Sequence, residues 1–225
     1  MIFLVIGNKG QIGSAIQKIL SKKYSVKGID KGDILLNKKF DAIFVCIPYD
    51  KNFVKEVKRY QKIYLKEGGL TIIHSTVQIG TTEKLDAVHA PIRGKHPDLY
   101  EGIKTFGMGI GGIHCGAVAY IYTPCGISCH LTISSRETEA FKLFDTEYYR
   151  RCILFMREVY EFCEKNDLDF DFIYRWGNES YNAGYSALGM SQFVRPILKY
   201  VPGPVGGHCI EPNHKLLKQC KKRNL

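Results

Sequence analysis

Two short stretches carry residues whose types and spacing suit redox chemistry on a bound dinucleotide. The first is Gly7-Asn8-Lys9-Gly10-Gln11-Ile12-Gly13, between the apolar run Ile2 to Ile6 and a helix-like stretch from Ser14 to Lys22. A dinucleotide-binding turn reads G-x-G-x-x-G between strand and helix, with an acid about 20 residues on. Read in that register, Asn8 stands in the first glycine's place, and Asn tolerates left-handed dihedrals better than most residues. Gly7 takes up part of the turn. Gly10 lets the backbone approach a pyrophosphate, and Gly13 lets helix and strand pack closely. The helix opening at Gln11 and Ile12 receives the negative phosphates on its free amides. Asp30 closes the next strand, where a carboxylate accepts ribose hydroxyls and repels a 2′-phosphate. That favours NAD over NADP, although Lys31 beside it weakens the preference. A glycine turn alone occurs in many parallel-sheet proteins; strand, glycines, helix and acid in register are what point to a cofactor.

The second stretch runs from Pro202 to Asn213 and sets His208-Cys209 among three glycines and three prolines, a composition that predicts a tightly shaped loop. A thiol beside an imidazole is a candidate nucleophile, because a nearby imidazolium or helix N-terminus lowers its pKa. The competing reading is a buried, inert cysteine. Cys125-x-x-x-Cys129-His130, with His114-Cys115, invites a zinc reading. The alternation of Ile127 and Leu131 with Ser128 and His130 is a strand pattern, however, and would point such ligands to opposite faces, so no metal is expected. His74, before Ser75-Thr76, either reaches a ligand or is a hydrogen-bonded strand-end histidine.

The elements that must position these groups alternate. Strands are expected at Ile2 to Ile6, Ser25 to Ile29, Asp41 to Ile47, Leu70 to Ile73, Ala87 to Ala90, Thr105 to Ile110 and Gly126 to Ile133. A lysine-rich amphipathic helix spans Lys51 to Leu65 and is stopped by Gly68-Gly69, and Thr81 to Leu85 forms a short helix. Ser134-x-x-Glu137 reads as a capping box opening a helix to about Lys165. Phe141, Phe144, Tyr148, Cys152, Phe155 or Met156, Val159 and Phe162 form an apolar stripe along it. Asp171 to Tyr185 is a further helical segment. The fold class is α/β, a doubly wound, mainly parallel sheet followed by a long helix and a small helical C-terminal region. Residues 1–133 form the dinucleotide-binding domain and 134–225 a helical domain with the cysteine loop. A helix of about 28 residues spans roughly 40 Å, more than such a domain needs, so a homodimer through 134–165 is expected.

Composition narrows the classes. The chain has 225 residues, with 45% hydrophobic, 24% charged and 12% aromatic residues, which excludes disorder. Eight cysteines are too few for a disulfide scaffold. The longest apolar stretch, Met1 to Gly7, is too short to span a bilayer and lacks the marks of a secretory signal, so a cytoplasmic protein with no membrane partner is expected. The net charge of +10 comes from scattered lysines without an RNP, zinc-finger or basic-zipper pattern. A small anionic ligand is therefore expected in preference to nucleic acid.

Four stretches together resemble the UDP-glucose/GDP-mannose dehydrogenase family over nearly the whole chain. They are the amino-terminal turn; Asp41-Ala-Ile-Phe-Val-Cys46-Ile47-Pro48; Ser75-Thr76-Val77-Gln78-Ile79-Gly80-Thr81-Thr82; and Gly206-Gly207-His208-Cys209-Ile210. The resemblance implies that Cys46, Ile47, Pro48, Ser75 and Thr76 border the cofactor, with Thr76 close to the nicotinamide. It implies Cys209 as nucleophile and Lys142 as a cation steadying the oxyanion, in a two-step oxidation of an alcohol to an acid. Spacing alone would read Lys142 as a solvated helix lysine. The departures are specific: Thr146 replaces the family's asparagine, Asn213 the aspartate that activates water, and Ala90-Pro91-Ile92 its Ser-Pro-Glu. The chain also ends where the family has a second Rossmann domain for the nucleotide sugar. The expectation is an NAD-dependent oxidoreductase acting on an alcohol, a sugar or sugar derivative among the candidates, with Lys142 and Cys209 near the nicotinamide. The alternative is a non-catalytic NAD-binding or interaction module.

Overall fold

The computed structural model describes residues 1–34, 36–94, 98–205 and 207–222, and for Gly207, His208, Lys221 and Lys222 the backbone alone. Seven strands form one sheet: β1 (Ile2–Ile6), β2 (Ser25–Ile29), β3 (Phe40–Val45), β4 (Leu65–Ile73), β5 (Val88–His89), β6 (Met108–Gly111) and β7 (Cys129–Thr132), in the order β2-β1-β3-β4-β5-β6-β7. The first five run parallel; β6 turns antiparallel to β5 through the single pair His89–Gly111, and β7 is parallel to β6. After β2 the chain crosses back over β1 to lay down β3 on its other side. The crevice outside the carboxyl ends of β1 and β3 is therefore the sheet's topological switch point. This is an α/β, Rossmann-like fold.

The continuous apolar runs follow from burial on both faces of a parallel sheet. Phe3, Val5, Phe44 and Ile72 face α1 (Gln11–Leu20), α3 (Leu99–Thr105) and α4 (Cys115–Tyr122); Leu4, Ile6, Ile43, Val45 and Ile73 face α2 (Phe53–Tyr64). Successive strand residues point to opposite faces, so each run fills both layers.

Four local expectations are corrected. Gly68-Gly69 does not separate α2 from its strand. The helix ends at Tyr64, β4 begins at Leu65, and the glycines make a register shift within it, with Gly68 at φ 69°. Thr105 ends α3 and is not part of a strand; α3 is only seven residues long, and α4 is apolar nearly all round. The capping box on α5 (Ser135–Asn166) is relayed: the Ser134 amide donates to the Thr132 hydroxyl, which donates to the Glu137 carboxylate. The Pro202–Asn213 stretch is a loop only as far as residue 205, because α7 (Gly207–Lys222) already includes Cys209 and carries Pro212 inside it.

By its contacts the chain divides into two compact units. One is Met1–Leu143 with the end of α7 from Cys220. The other, Phe144–Gln219, contains the rest of α5, a π-helical turn (Asp171–Trp176), α6 (Gly177–Ala187) and most of α7. Along α5, Met156 is buried. The aromatic stripe is not: Tyr148 is 63% exposed, Phe155 60% and Phe162 59%.

Candidate functional site

The left-handed residue of the amino-terminal turn is Gly7, with φ 84°, and not Asn8. A Cβ on Gly7 would lie 2.7 Å from the Cys46 carbonyl oxygen, and one on Gly13 2.1 Å from the Gly7 carbonyl oxygen. These glycines let β1, β3 and α1 close on one another. The working pattern is therefore Gly7-x-x-Gly10-x-x-Gly13. Asn8 instead folds over Gly28, where a Cβ would stand 2.2 Å from its Nδ2, and that nitrogen donates to Gln17 Oε1 at 3.1 Å. Gly10 is the N-cap of α1. A Cβ there would meet only the Gly7 carbonyl oxygen at 3.3 Å, so the fold itself demands little of this glycine. With no capping side chain and no acidic residue in its first turn, α1 opens on its amides.

Beside this turn lies a cleft of about 550 Å³, lined at the strand ends by Gly7, Asp30, Ile47 and Pro48 and around its rim by Lys31, Asp33, Asp50, Glu56, Arg59 and Tyr60. The structure thus brings four of the expected cofactor residues to one cavity. The Asp30 carboxylate accepts the Lys9 amide at 2.9 Å and the Lys31 amide at 2.7 Å. Lys9 Nζ bonds Asp33 at 2.5 Å, which holds the Asp33 carboxyl below the ordinary carboxylate range. The other expected residues do not line this cavity. Gln11 lines a separate cleft of about 230 Å³, Ile12 packs on the core, and Cys46 is half-buried, its thiol pushed up by burial. Ser75 donates to the Ile47 carbonyl at 2.6 Å, tying the loop after β4 to the end of β3, and Thr76 follows it half-buried.

Lys142 sits one turn beyond two buried polar contacts that sequence reasoning missed. Glu139 is fully buried; its carboxylate accepts the Gly80 amide (2.6 Å), the Thr82 amide (2.8 Å) and the Thr82 hydroxyl (2.6 Å). Burial raises its pKa and these bonds oppose the rise. His89 donates from Nε2 to the Ser75 carbonyl at 3.2 Å, and its Nδ1 faces the Thr138 hydroxyl at 3.0 Å. Burial, opposed by the Ser75 bond and reinforced by the charge of Lys142, lowers His89 to about 3. The start of α5 is thus fixed to the loop carrying Ser75 and Thr76. His74 proves to be core: Nδ1–H donates to the Ala90 carbonyl at 2.6 Å, Nε2 accepts from Tyr122 at 2.8 Å, and burial lowers it to about 4.

Cys209 belongs to the other unit, exposed in the first turn of α7; the side chain of His208 is outside the described residues. One turn on, Asn213 donates to the Thr146 hydroxyl at 3.2 Å, so two of the residues that depart from the resembled pattern are bonded to each other. Glu147 accepts from His214 (2.7 Å) and Arg151 (3.2 Å), and Arg150 pairs with Glu211 (3.0 Å). Among the described residues no three His, Cys, Asp or Glu side chains gather as a metal would need, and no helix is long and apolar enough to cross a membrane.

No family model matches the sequence, and no curated protein matches it. Solved structures do match. UDP-D-ManNAc dehydrogenase from Pyrococcus horikoshii aligns with a TM-score of 0.74 at 17% identity, over 96% of this chain and 63% of its own. NDP-N-acetyl-D-galactosaminuronic acid dehydrogenase from Methanosarcina mazei Go1 gives 0.71 at 17%, over 99% and 61%. Mycobacterium tuberculosis 3-hydroxyisobutyrate dehydrogenase, solved with L-serine, gives 0.71 at 13%, over 99% of this chain and 87% of its own. The chain thus spans less than two thirds of the first two. These likenesses establish the fold.

Proposed function

We propose that the protein binds a nicotinamide dinucleotide, NAD in preference to NADP, and oxidises a small alcohol to a carbonyl. The observation that carries this reading is the cleft at the β1/β3 switch point, where Gly7, Asp30, Ile47 and Pro48 line one cavity beside a helix that opens uncapped and without acid. Asp30 spends two of about four acceptor positions on backbone amides, which leaves capacity for ribose hydroxyls. Asp33, Asp50 and Glu56 on the same rim disfavour a 2′-phosphate, against Lys31 and Arg59. The resemblance to nucleotide-sugar dehydrogenases and the named activities of the structural neighbours support the same chemistry.

The nicotinamide supplies the hydride acceptor. With the hydride passing to the nicotinamide and the hydroxyl proton to solvent water, the Lys142 ammonium would steady the alkoxide that forms between them, and the Glu139 and His89 contacts keep the start of α5 in place for that task. A second oxidation needs a base to activate water. Asn213 is an amide bonded to Thr146, while Glu147 and Glu211 are paired with cations, so the reading stops at the carbonyl. The test is NAD reduction with 3-hydroxyisobutyrate, other hydroxy acids and sugar alcohols. One NADH per alcohol is expected, with Cys209→Ser nearly unchanged and Lys142→Met slowed by roughly 100-fold or more. Two NADH per alcohol, with the second lost in Cys209→Ser, would replace this by the four-electron reaction. Failure to reduce NAD with any alcohol, despite cofactor binding, would favour the non-catalytic module.

A further inference from the structure

We propose that the outward face of α2 binds the phosphodiester backbone of a nucleic acid, without regard to base sequence. The lysines that the sequence scatters are drawn into a row by the fold. α2 buries Phe53, Val57 and Tyr64 against the sheet, with Tyr60 and Ile63 packed beside them. Its flank toward the dinucleotide cleft carries Glu56, Arg59 and Tyr60. Lys55, Lys58 and Lys62 recur at steps of three and four residues, so they share the face turned away from the sheet, and all three are exposed. Lys51, exposed in the turn before the helix, extends the row at one end. At the other end Lys39 donates from Nζ to the Lys62 carbonyl at 2.7 Å, which sets a fifth cation beside the last turn.

The fold does not neutralise this row. Among the described residues no carboxylate stands within ion-pair distance of Lys39, Lys51, Lys55, Lys58 or Lys62. Glu56, the one acid of α2, is neither three nor four residues from any lysine of the helix. Lys55 with Lys58, and Lys58 with Lys62, are like-charge neighbours that cost the helix stability, and an anion along the row removes that cost. The chemistry of the face selects the anion. The exposed residues of α2 are Lys55, Glu56, Lys58, Arg59 and Lys62, with no apolar side chain among them. Helices that lie in a membrane surface need large apolar residues beside their lysines, and protein interfaces are depleted in lysine. A phosphodiester chain asks only for cations in a line. One strand of a duplex carries a charge about every 3.4 Å along the axis, so the roughly 10 Å of helix from Lys55 to Lys62 matches about three phosphates. With no exposed aromatic side chain on α2 to stack on a base, the row grips backbone alone.

The test is fluorescence anisotropy of a labelled duplex DNA of about 20 base pairs and mixed sequence, titrated with the full chain from about 50 to 200 mM salt. Saturable binding is expected, with a slope of log K against log salt of about −4 for four to five contacts. Lys55→Gln with Lys58→Gln should weaken binding roughly tenfold or more and bring the slope to about −2, at an unchanged melting temperature. Lys51→Gln, outside the helix, should by itself reduce the slope by about 0.9. The charge-matched pair Lys22→Gln with Lys23→Gln, after α1 on the other face of the sheet, should leave affinity and slope nearly unchanged. An equal loss in both pairs would reduce the binding to net charge and overturn the proposal. No saturable binding at about 50 mM salt, or a slope unaltered by the α2 substitutions, would overturn it too. Polyglutamate displacing the labelled duplex as well as unlabelled duplex does would replace it by an acidic polypeptide partner. Sedimentation with phosphatidylserine vesicles that the duplex does not compete away would replace it by a membrane surface. The measurement contains no NADH, so its outcome is independent of the dehydrogenase reading.

Discussion

At the scale of single residues, the turn after β1 depends on positions that cannot carry a side chain: Gly7 holds φ 84°, a Cβ on it would lie 2.7 Å from the Cys46 carbonyl oxygen, and one on Gly13 would lie 2.1 Å from the Gly7 carbonyl oxygen. Gly13→Ala should therefore lower stability by about 2 kcal/mol or more and weaken cofactor binding together, measured by denaturant unfolding and NADH fluorescence; an unchanged midpoint would mean that α1 can move away. His74 and His89 were invisible as a pair, since each is a lone polar residue in an apolar strand end whose partners are distant in sequence. Both are neutral in the folded protein, with pKa about 4 and about 3 against an ordinary value of 6.5. The unfolded chain takes up the protons first, so their contribution is complete above about pH 6.5 and declines as pH falls toward 4. The expected loss is up to about 1.4 kcal/mol per pH unit for each histidine across that window. Stability measured by urea unfolding at pH 7 and pH 5 should differ accordingly; a flat profile would contradict the buried neutral assignments.

At the scale of elements, the strongly periodic or continuously apolar segments were readable and the short ones were not. β1, α2 and α5 announce themselves through long runs, whereas β5 is two residues long and α4 is apolar all round. The start of α7 was misread because glycines and prolines signal a loop, yet the backbone turns helical at Gly207 and tolerates Pro212. The α5 stripe was legible as a stripe, but periodicity cannot say what covers it. Tyr148, Phe155 and Phe162 lie seven residues apart on one face and are mostly exposed. A second copy of this chain packed along α5 is the proposed cover, since aromatic stripes of this extent mark interaction surfaces. Light scattering should give a dimer mass at micromolar concentration, and Phe155→Glu with Phe162→Glu should shift it to monomer without lowering NADH affinity. A monomer mass for the unmodified protein would refute this.

At the scale of the molecule, the sheet order decides where chemistry can occur. Reversal of the winding at β1/β3 opens one crevice, and the turn, the acid and the cleft rim all lie there. The Rossmann-like class was readable from strand–helix alternation; the antiparallel join at His89–Gly111, which carries β6 and β7 back beside β5, was not, because one pair of residues makes it. The account depends on a dinucleotide occupying that crevice. Equilibrium titration with NADH and NADPH, followed by nicotinamide fluorescence, tests it most directly. Saturable NADH binding below about 1 mM, weaker for NADPH and much reduced in Gly13→Ala, is the predicted result. The absence of saturable binding by either cofactor at millimolar concentration would contradict the account.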